Sequence, residues 1–235
     1  MFGLKKLGAY VPADVFAHVL ESAGKTRAQD DRIAELISHD DCTVVNIDLS
    51  GFTRLSEVLK KKYGEEGKEH ILSLTNELLS DISSLILKYD GSVVKFGGDA
   101  RTVLLTGPDH AQRGIDLADR VQARLFFYRG LVTAKYVELG QENSIRVSIG
   151  VASGPAHLFL TRDNDGYRDI LPLGDIWFKA GVAEDLAQGE TGIDDSTVRQ
   201  IPEAREDLRV DFKAESELGP DYSDPIKSEL KKENI

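Results

Sequence analysis

Two aspartates stand out because of what surrounds them. Asp48 closes an apolar run, CTVVNIDL, and is followed at once by Ser50-Gly51-Phe52-Thr53, a turn that opens a helix; Asp99 follows Gly97-Gly98 between two β-rich runs. A carboxylate at the end of a strand, beside the free N–H groups of a helix N-terminus, pairs a hard-oxygen cation ligand with an anion cradle. If the strand carrying Asp48 and the hairpin carrying Asp99 are neighbours in one sheet, the two side chains converge on a site for two Mg²⁺ or Mn²⁺ ions. That arrangement suits phosphoryl or nucleotidyl transfer, with the phosphates held by Ser50, Gly51, Phe52 and Thr53.

The elements that must position these groups follow from periodicity. Cys42 to Leu49 is apolar on both faces, as in a central strand covered on each side. Thr53 to Lys62 reads as a helix ending before Gly64, with Lys60, Lys61 and Lys62 as a solvated last turn. A second helix begins near Gly67 and carries a stripe of Ile71, Leu74, Leu78, Ile82 and Leu85. Ser92 to Phe96 and Arg101 to Thr106 form a hairpin with Asp99 at its tip. Pro108 to Tyr128 is a third helix. Ile145 to Val151 is a strand, with Ala156 to Leu160 turning back to pair with it after Ser153-Gly154-Pro155. A turn at Asn164-Asp165-Gly166 leads to a strand from Asp169 to Leu173 and a helix from Asp175 to Gln188, closed by Gly189. The order is a βααββαβ α/β sandwich, of α+β class, with a mainly antiparallel sheet and helices packed on it.

Residues 1–41 read as an N-terminal helical extension with a short amphipathic helix after Pro12. Residues 42–200 form the central domain, and 201–235 a charged C-terminal extension or linker. The chain has 235 residues, 41% of them hydrophobic, which is enough for one substantial core. Its formal charge of −11 argues against nucleic acid or an anionic membrane as a partner. No stretch has the ~18 apolar residues of a membrane span. The single cysteine, Cys42, lies within an apolar run and reads as a buried hydrophobe in a reducing, cytoplasmic setting. His39 and His157 stand apart from other metal-ligand types and read as surface or capping residues.

Four blocks in this order and spacing, NIDLSGFTRLSE, YDGSVVKFGGDA, IRVSIGVASGPA and LPLGDIWFKAGVAEDLAQGE, resemble the class III adenylate/guanylate cyclase catalytic domain. The similarity covers about residues 42–198, and its later blocks look most like the metal-bearing half of the soluble-type, bicarbonate-responsive adenylyl cyclases. The resemblance implies a dimeric catalyst, a homodimer or a pair with a second cyclase-homology domain. Such a dimer converts a nucleoside triphosphate, ATP by preference, to a 3′,5′-cyclic monophosphate and pyrophosphate with two Mg²⁺ or Mn²⁺ ions. Asp48 and Asp99 match the metal-binding aspartates, and the carbonyl of Leu49 matches a further metal ligand. Lys95 matches the base-binding lysine.

The remaining positions depart from the pattern. The base-partner position falls on Leu171, the transition-state asparagine on Phe178 and the transition-state arginine on Val182, none of which can donate a side-chain hydrogen bond. The basic residue that grips the triphosphate falls on Ser148, with Arg146 two residues earlier on the same strand face as a substitute. The arginine credited with bicarbonate binding falls on Gly181. Arg101 and Lys179 are candidate replacement cations. Trp177 and Phe178 make this face apolar, as at a packed interface or a core contact. Three readings follow: a metal-bearing half that needs an arginine-bearing complement, a pseudocyclase that binds nucleotide or serves as a dimerisation domain, or a weakly active homodimer.

Overall fold

The computed structural model describes residues 34–136, 145–163 and 166–201. The expected helix after Pro12 and the edge strand around Leu208 lie outside them. Strand β1 (Ala34–Ser50) leads into α1 (Phe52–Lys88), then β2 (Gly91–Gly97), β3 (Ala100–Leu105), α2 (His110–Lys135), β4 (Arg146–Asp163), β5 (Gly166–Leu173), α3 (Asp175–Ala187), β6 (Thr191–Ile193) and the short α4 (Asp195–Val198). The sheet order is β2-β3-β1-β4-β5, antiparallel throughout, with β6 adding to β4 in parallel. This is the expected α+β sandwich with β1 at its centre. Cys42, Val44, Val45, Ile47 and Leu49 are all buried, on both faces of that strand.

The two sides of the sheet carry separate cores. Ile47, Leu49, Val103, Leu105, Val147 and Ile149 pack beneath α1 and α2, while Val44, Leu104, Ala152, Leu158, Ile176 and Ala180 form a smaller cluster under α3. The α1 stripe is the expected one, Ile71, Leu74, Leu78 and Ile82, continued by Ile86, with Leu85 only partly buried at its side. The break before it falls at Gly64, whose φ of 68° is left-handed, and the two helical segments run on across this kink. Helix α2 continues to Lys135, beyond the expected end at Tyr128, because Val132 extends the buried row of Leu125 and Tyr128 by another turn.

Two strand boundaries differ from the sequence-based expectation. β1 begins at Ala34, so the segment assigned to a helical extension is strand from there onward. Nor does Ser153-Gly154-Pro155 turn the chain back. β4 runs unbroken through it, and Ala156–Leu160 pairs with the early part of β1 rather than with Ile145–Val151. A register shift in β1 between His39 and Cys42 lies opposite Pro155, between the pairs His39↔Ala156 and Cys42↔Gly154. A bulge leaves one position without ladder bonds, and there a proline's missing N–H is harmless.

Helix α3 lies unusually close on the sheet, and two glycines permit it. A Cβ on Gly150 would overlap the Ala180 carbonyl and the Glu184 N–H, and one on Gly192 would overlap the Ala183 carbonyl. These neighbours are backbone and cannot swing aside. Gly150→Ala is expected to cost about 2–3 kcal/mol by overpacking, measurable as a lower denaturation midpoint at unchanged slope.

Candidate nucleotide and metal site

In an antiparallel ladder directly opposed residues share a face, so register decides what can meet Asp48. Asp48 pairs with Ser148 and Ser50 with Arg146, which puts all four on the face covered by α3. Lys95 joins that face through the row Lys95↔Thr102, Asn46↔Thr102 and Asn46↔Gly150. Leu49 turns its side chain into the opposite core, leaving its backbone as the part that can face a ligand.

Beyond Ser50 the chain reverses through Gly51, at φ 91°, a left-handed conformation open to glycine. Gly51 supplies no side-chain cap to α1, and no acidic residue occupies the first turn; its carbonyl accepts the first helical bond from Leu55 N–H at 3.0 Å. The N–H groups of Phe52 and Thr53 therefore open the helix without competition from a neighbouring carboxylate. Ser50, Gly51 and Thr53 are exposed, while Phe52 tucks against the main core.

Asp99 is exposed in the β2–β3 turn and close enough to Asp48 to raise its pKa. Burial is the largest cause of the upward shift at Asp48, followed by the charge of Asp99 and then that of Asp185. The two aspartates singled out in the sequence are thus brought together. Asp185 and Glu184, on α3, were not singled out; they reach the site only because Gly150 and Gly192 let α3 lie flat. An acidic pair inside an ordinary helical pattern carries no local signal of such a role.

Glu184 is pushed up to about 7, mainly by burial and then by Asp48 and Asp185. Its proton is held in the folded chain up to that pH, whereas an unfolded glutamate releases it near 4.5. Stability of the metal-free protein should therefore fall as pH rises from 4.5 towards 7. Glu184→Gln removes this penalty. Discounted for the side chain's partial exposure, its melting temperature at pH 8 should exceed wild type by about 2 °C, and the two should converge at pH 4.

Clustered carboxylates of raised pKa are what a cation relieves. Among the described residues no group of three or more His, Cys, Asp or Glu could hold a metal by itself. Asp48 and Asp99 are a sparse pair of hard-oxygen groups that would leave most coordination positions to phosphate oxygens and water, the pattern of Mg²⁺ sites. The residues present fit such an ion.

Other expected contributors are placed less favourably. Ser148 is engaged structurally, its hydroxyl accepting the Gly189 N–H at 2.9 Å where α3 ends. The stem of Arg146 lies along Gly189, whose Cβ position is 3.4 Å from the Arg146 Cδ, and its head is exposed beside Ser50. Lys179 is exposed on α3. Arg101 pairs with Ile47, hence on the opposite face from Asp48, and does not join the phosphate side. Leu171 and Phe178 are 47% and 62% exposed, a bare apolar surface, whereas Trp177 is a core contact whose Nε1 donates to the Leu173 carbonyl at 3.0 Å. Gly181 leaves room next to Asn46, whose Nδ2 is 3.7 Å from the Cβ position there. His157 shares a surface hydrogen bond with Ser38 at 2.9 Å.

Comparison with known proteins agrees with this fold. No family profile matches the chain. Adenylate cyclase type 10 of Rattus norvegicus is 30% identical over 150 residues, and that of Homo sapiens 27% over 149, in each case 63% of this chain. The match spans only 9% of the length of those curated relatives. Among solved structures, the adenylyl cyclase CyaB from P. aeruginosa superposes with a TM-score of 0.56 at 23% identity, covering 72% of this chain and 84% of that one. The guanylyl cyclase Cya2 does so with 0.53 at 20%, covering 72% and 80%. A class III adenylyl cyclase-like ATP-binding protein from Pseudomonas aeruginosa gives 0.55 at 14%, covering 79% and 42%. Among the described residues no helix is long and apolar enough to cross a membrane. Strand order and these similarities converge: the chain has the fold of the class III nucleotidyl cyclase domains, and its sequence is similar to a segment of adenylate cyclase type 10.

Proposed function

We propose that this domain is the metal-bearing half of a class III cyclase site, working in the cytoplasm on ATP with Mg²⁺ or Mn²⁺ and completed by an arginine-bearing half, a second cyclase-homology domain. The observation that carries this reading is that Asp99 lies near enough to Asp48 for its charge to raise the Asp48 pKa, beside the uncapped start of α1. Asp48 and Asp99 hold the cations, with the Leu49 carbonyl as a further oxygen. When bound, the ions lower the pKa of the ribose 3′-hydroxyl for in-line attack on the α-phosphate. The N–H groups at the start of α1 bind phosphate, Arg146 supplies a positive charge at its edge, and Lys95 contacts the base from the hairpin. The products of a completed site are 3′,5′-cyclic AMP and pyrophosphate.

A second reading is favoured by the apolar residues Leu171, Phe178 and Val182 at positions that donate hydrogen bonds in the resembled family. On that reading the domain binds metal and nucleotide but acts as a regulatory dimerisation partner. Thermal melting with Mn²⁺ and ATP, alongside an assay for cyclic nucleotide, tests both. Stabilisation with no product by the chain alone supports a half-site, product on adding an arginine-bearing cyclase half selects the catalytic reading, and no thermal response removes the nucleotide site altogether.

A further inference from the structure

One partly buried, incompletely bonded polar side chain near the site lies on the opposite face of the sheet from Asp48. Arg101 follows the Asp99 turn by two residues, and its Nη1 donates to the Gly98 carbonyl at 2.8 Å and to the Ala100 carbonyl at 2.9 Å. Those two carbonyls flank Asp99. The guanidinium lies over the Phe96 ring, with Cζ 4.9 Å from the centroid, on the partner strand of the same hairpin, where Phe96 and Arg101 are paired. Its Nε is buried without a hydrogen-bond partner, and burial lowers the pKa of the group while Asp99 opposes that shift.

Leaving a buried donor unsatisfied costs on the order of 1–3 kcal/mol. An arginine kept there at that cost, in a hairpin one strand from Asp48, must return something a smaller residue would not. The turn itself offers little rigidity: Gly98 has φ 68° with open space where a side chain would be, Gly97 precedes it, and Asp99 is exposed. Without a clamp, Asp99 would sample many positions relative to Asp48, and a two-carboxylate cation site would lose affinity to the entropy of ordering its own ligand.

The geometry points to Arg101 as a positioning residue for Asp99, a guanidinium clamp that bridges the carbonyls on either side of the metal ligand and is braced by Phe96. This rests on the metal-site reading of Asp48 and Asp99. It assigns Arg101 a role different from that of a phosphate-binding cation. One terminal nitrogen, Nη1, holds both carbonyls while the planar guanidinium stacks on the Phe96 ring, a stacking that the compact ammonium of lysine cannot reproduce.

Mn²⁺ titration followed by electron paramagnetic resonance, on the full chain, tests the clamp without turnover. Metal-free ATP binding in EDTA is measured in parallel. Arg101→Gln should weaken Mn²⁺ binding about tenfold and Arg101→Lys by an intermediate factor, with ATP affinity in EDTA unchanged. Phe96→Leu, which removes only the brace, should give a smaller loss in the same direction and serves if Arg101→Gln fails to fold. Mn²⁺ affinity unchanged in the arginine variants overturns the clamp, as does a loss of metal-free ATP affinity, which would make Arg101 a direct phosphate ligand. Asp48→Asn separates the layers: if it binds Mn²⁺ as wild type does, the metal-site reading falls first, whereas loss in Asp48→Asn without loss in Arg101→Gln sinks the clamp alone.

Discussion

Asp48→Asn should eliminate the Mn²⁺-dependent stabilisation by ATP while making the metal-free protein more resistant to heat. The two effects have one cause. In the absence of cation, the Asp48 carboxyl is penalised by burial and by the charges of Asp99 and Asp185, so a neutral isostere relieves repulsion. With cation present the same charge is the ligand, and an amide oxygen cannot replace it. A wild-type chain at ligand concentrations a hundred times the dissociation constant gains about 2.7 kcal/mol, and a hundredfold loss of affinity reduces that to about 0.4 kcal/mol. Differential scanning fluorimetry at pH 7.5, with and without Mn²⁺ and ATP, reads both signs in one experiment. A variant that melts lower without metal, or that keeps the full ligand shift, would contradict the site described here.

The largest gain is expected from restoring the missing donors. Phe178 and Val182 are four residues apart on α3, hence on one helical face, and Phe178 is 62% exposed, so replacing it removes no core contact. Phe178→Asn combined with Val182→Arg would give each chain the transition-state pair implied by the resemblance, beside its own Asp48 and Asp99. In a symmetric dimer, an arginine meeting developing phosphate charge is worth roughly 10³ to 10⁵ in rate. The double variant with ATP and Mn²⁺ should therefore form cyclic AMP at least about a thousandfold faster than the wild-type chain alone, measured by chromatography of the products. Equal rates would show that α3 does not present these positions to a partner's nucleotide. Robust wild-type turnover sensitive to Asp48→Asn would show that other cations already complete the site.

Much of this molecule is readable from short stretches. The Asp48 strand end, the Gly51 turn, the Asp99 hairpin and the α1 stripe each depend on contacts within a few residues, and each stands where alternation, turn chemistry or helical spacing puts it. Readings that failed depended on partners distant in the chain. Ser153-Gly154-Pro155 has the composition of a turn, yet it continues a strand because β1 extends back to Ala34 and takes up the irregularity in its own bulge. The α2 end moved for a similar reason, since Val132 finds a core that the helix sequence cannot announce.

The site divides along the same line. Local chemistry was enough to single out two aspartates that the fold brings near each other, and a resemblance that fold and comparison uphold. Long-range packing decided the rest. Close contact at Gly150 and Gly192 brings Glu184 and Asp185 into the field of Asp48, and strand register sets Arg101 on the far face of the sheet while keeping Arg146 on the face of Asp48. Residue type specifies what a group can do, but a period-two strand sends neighbours to opposite faces, and only pairing with other strands shows which of them meet.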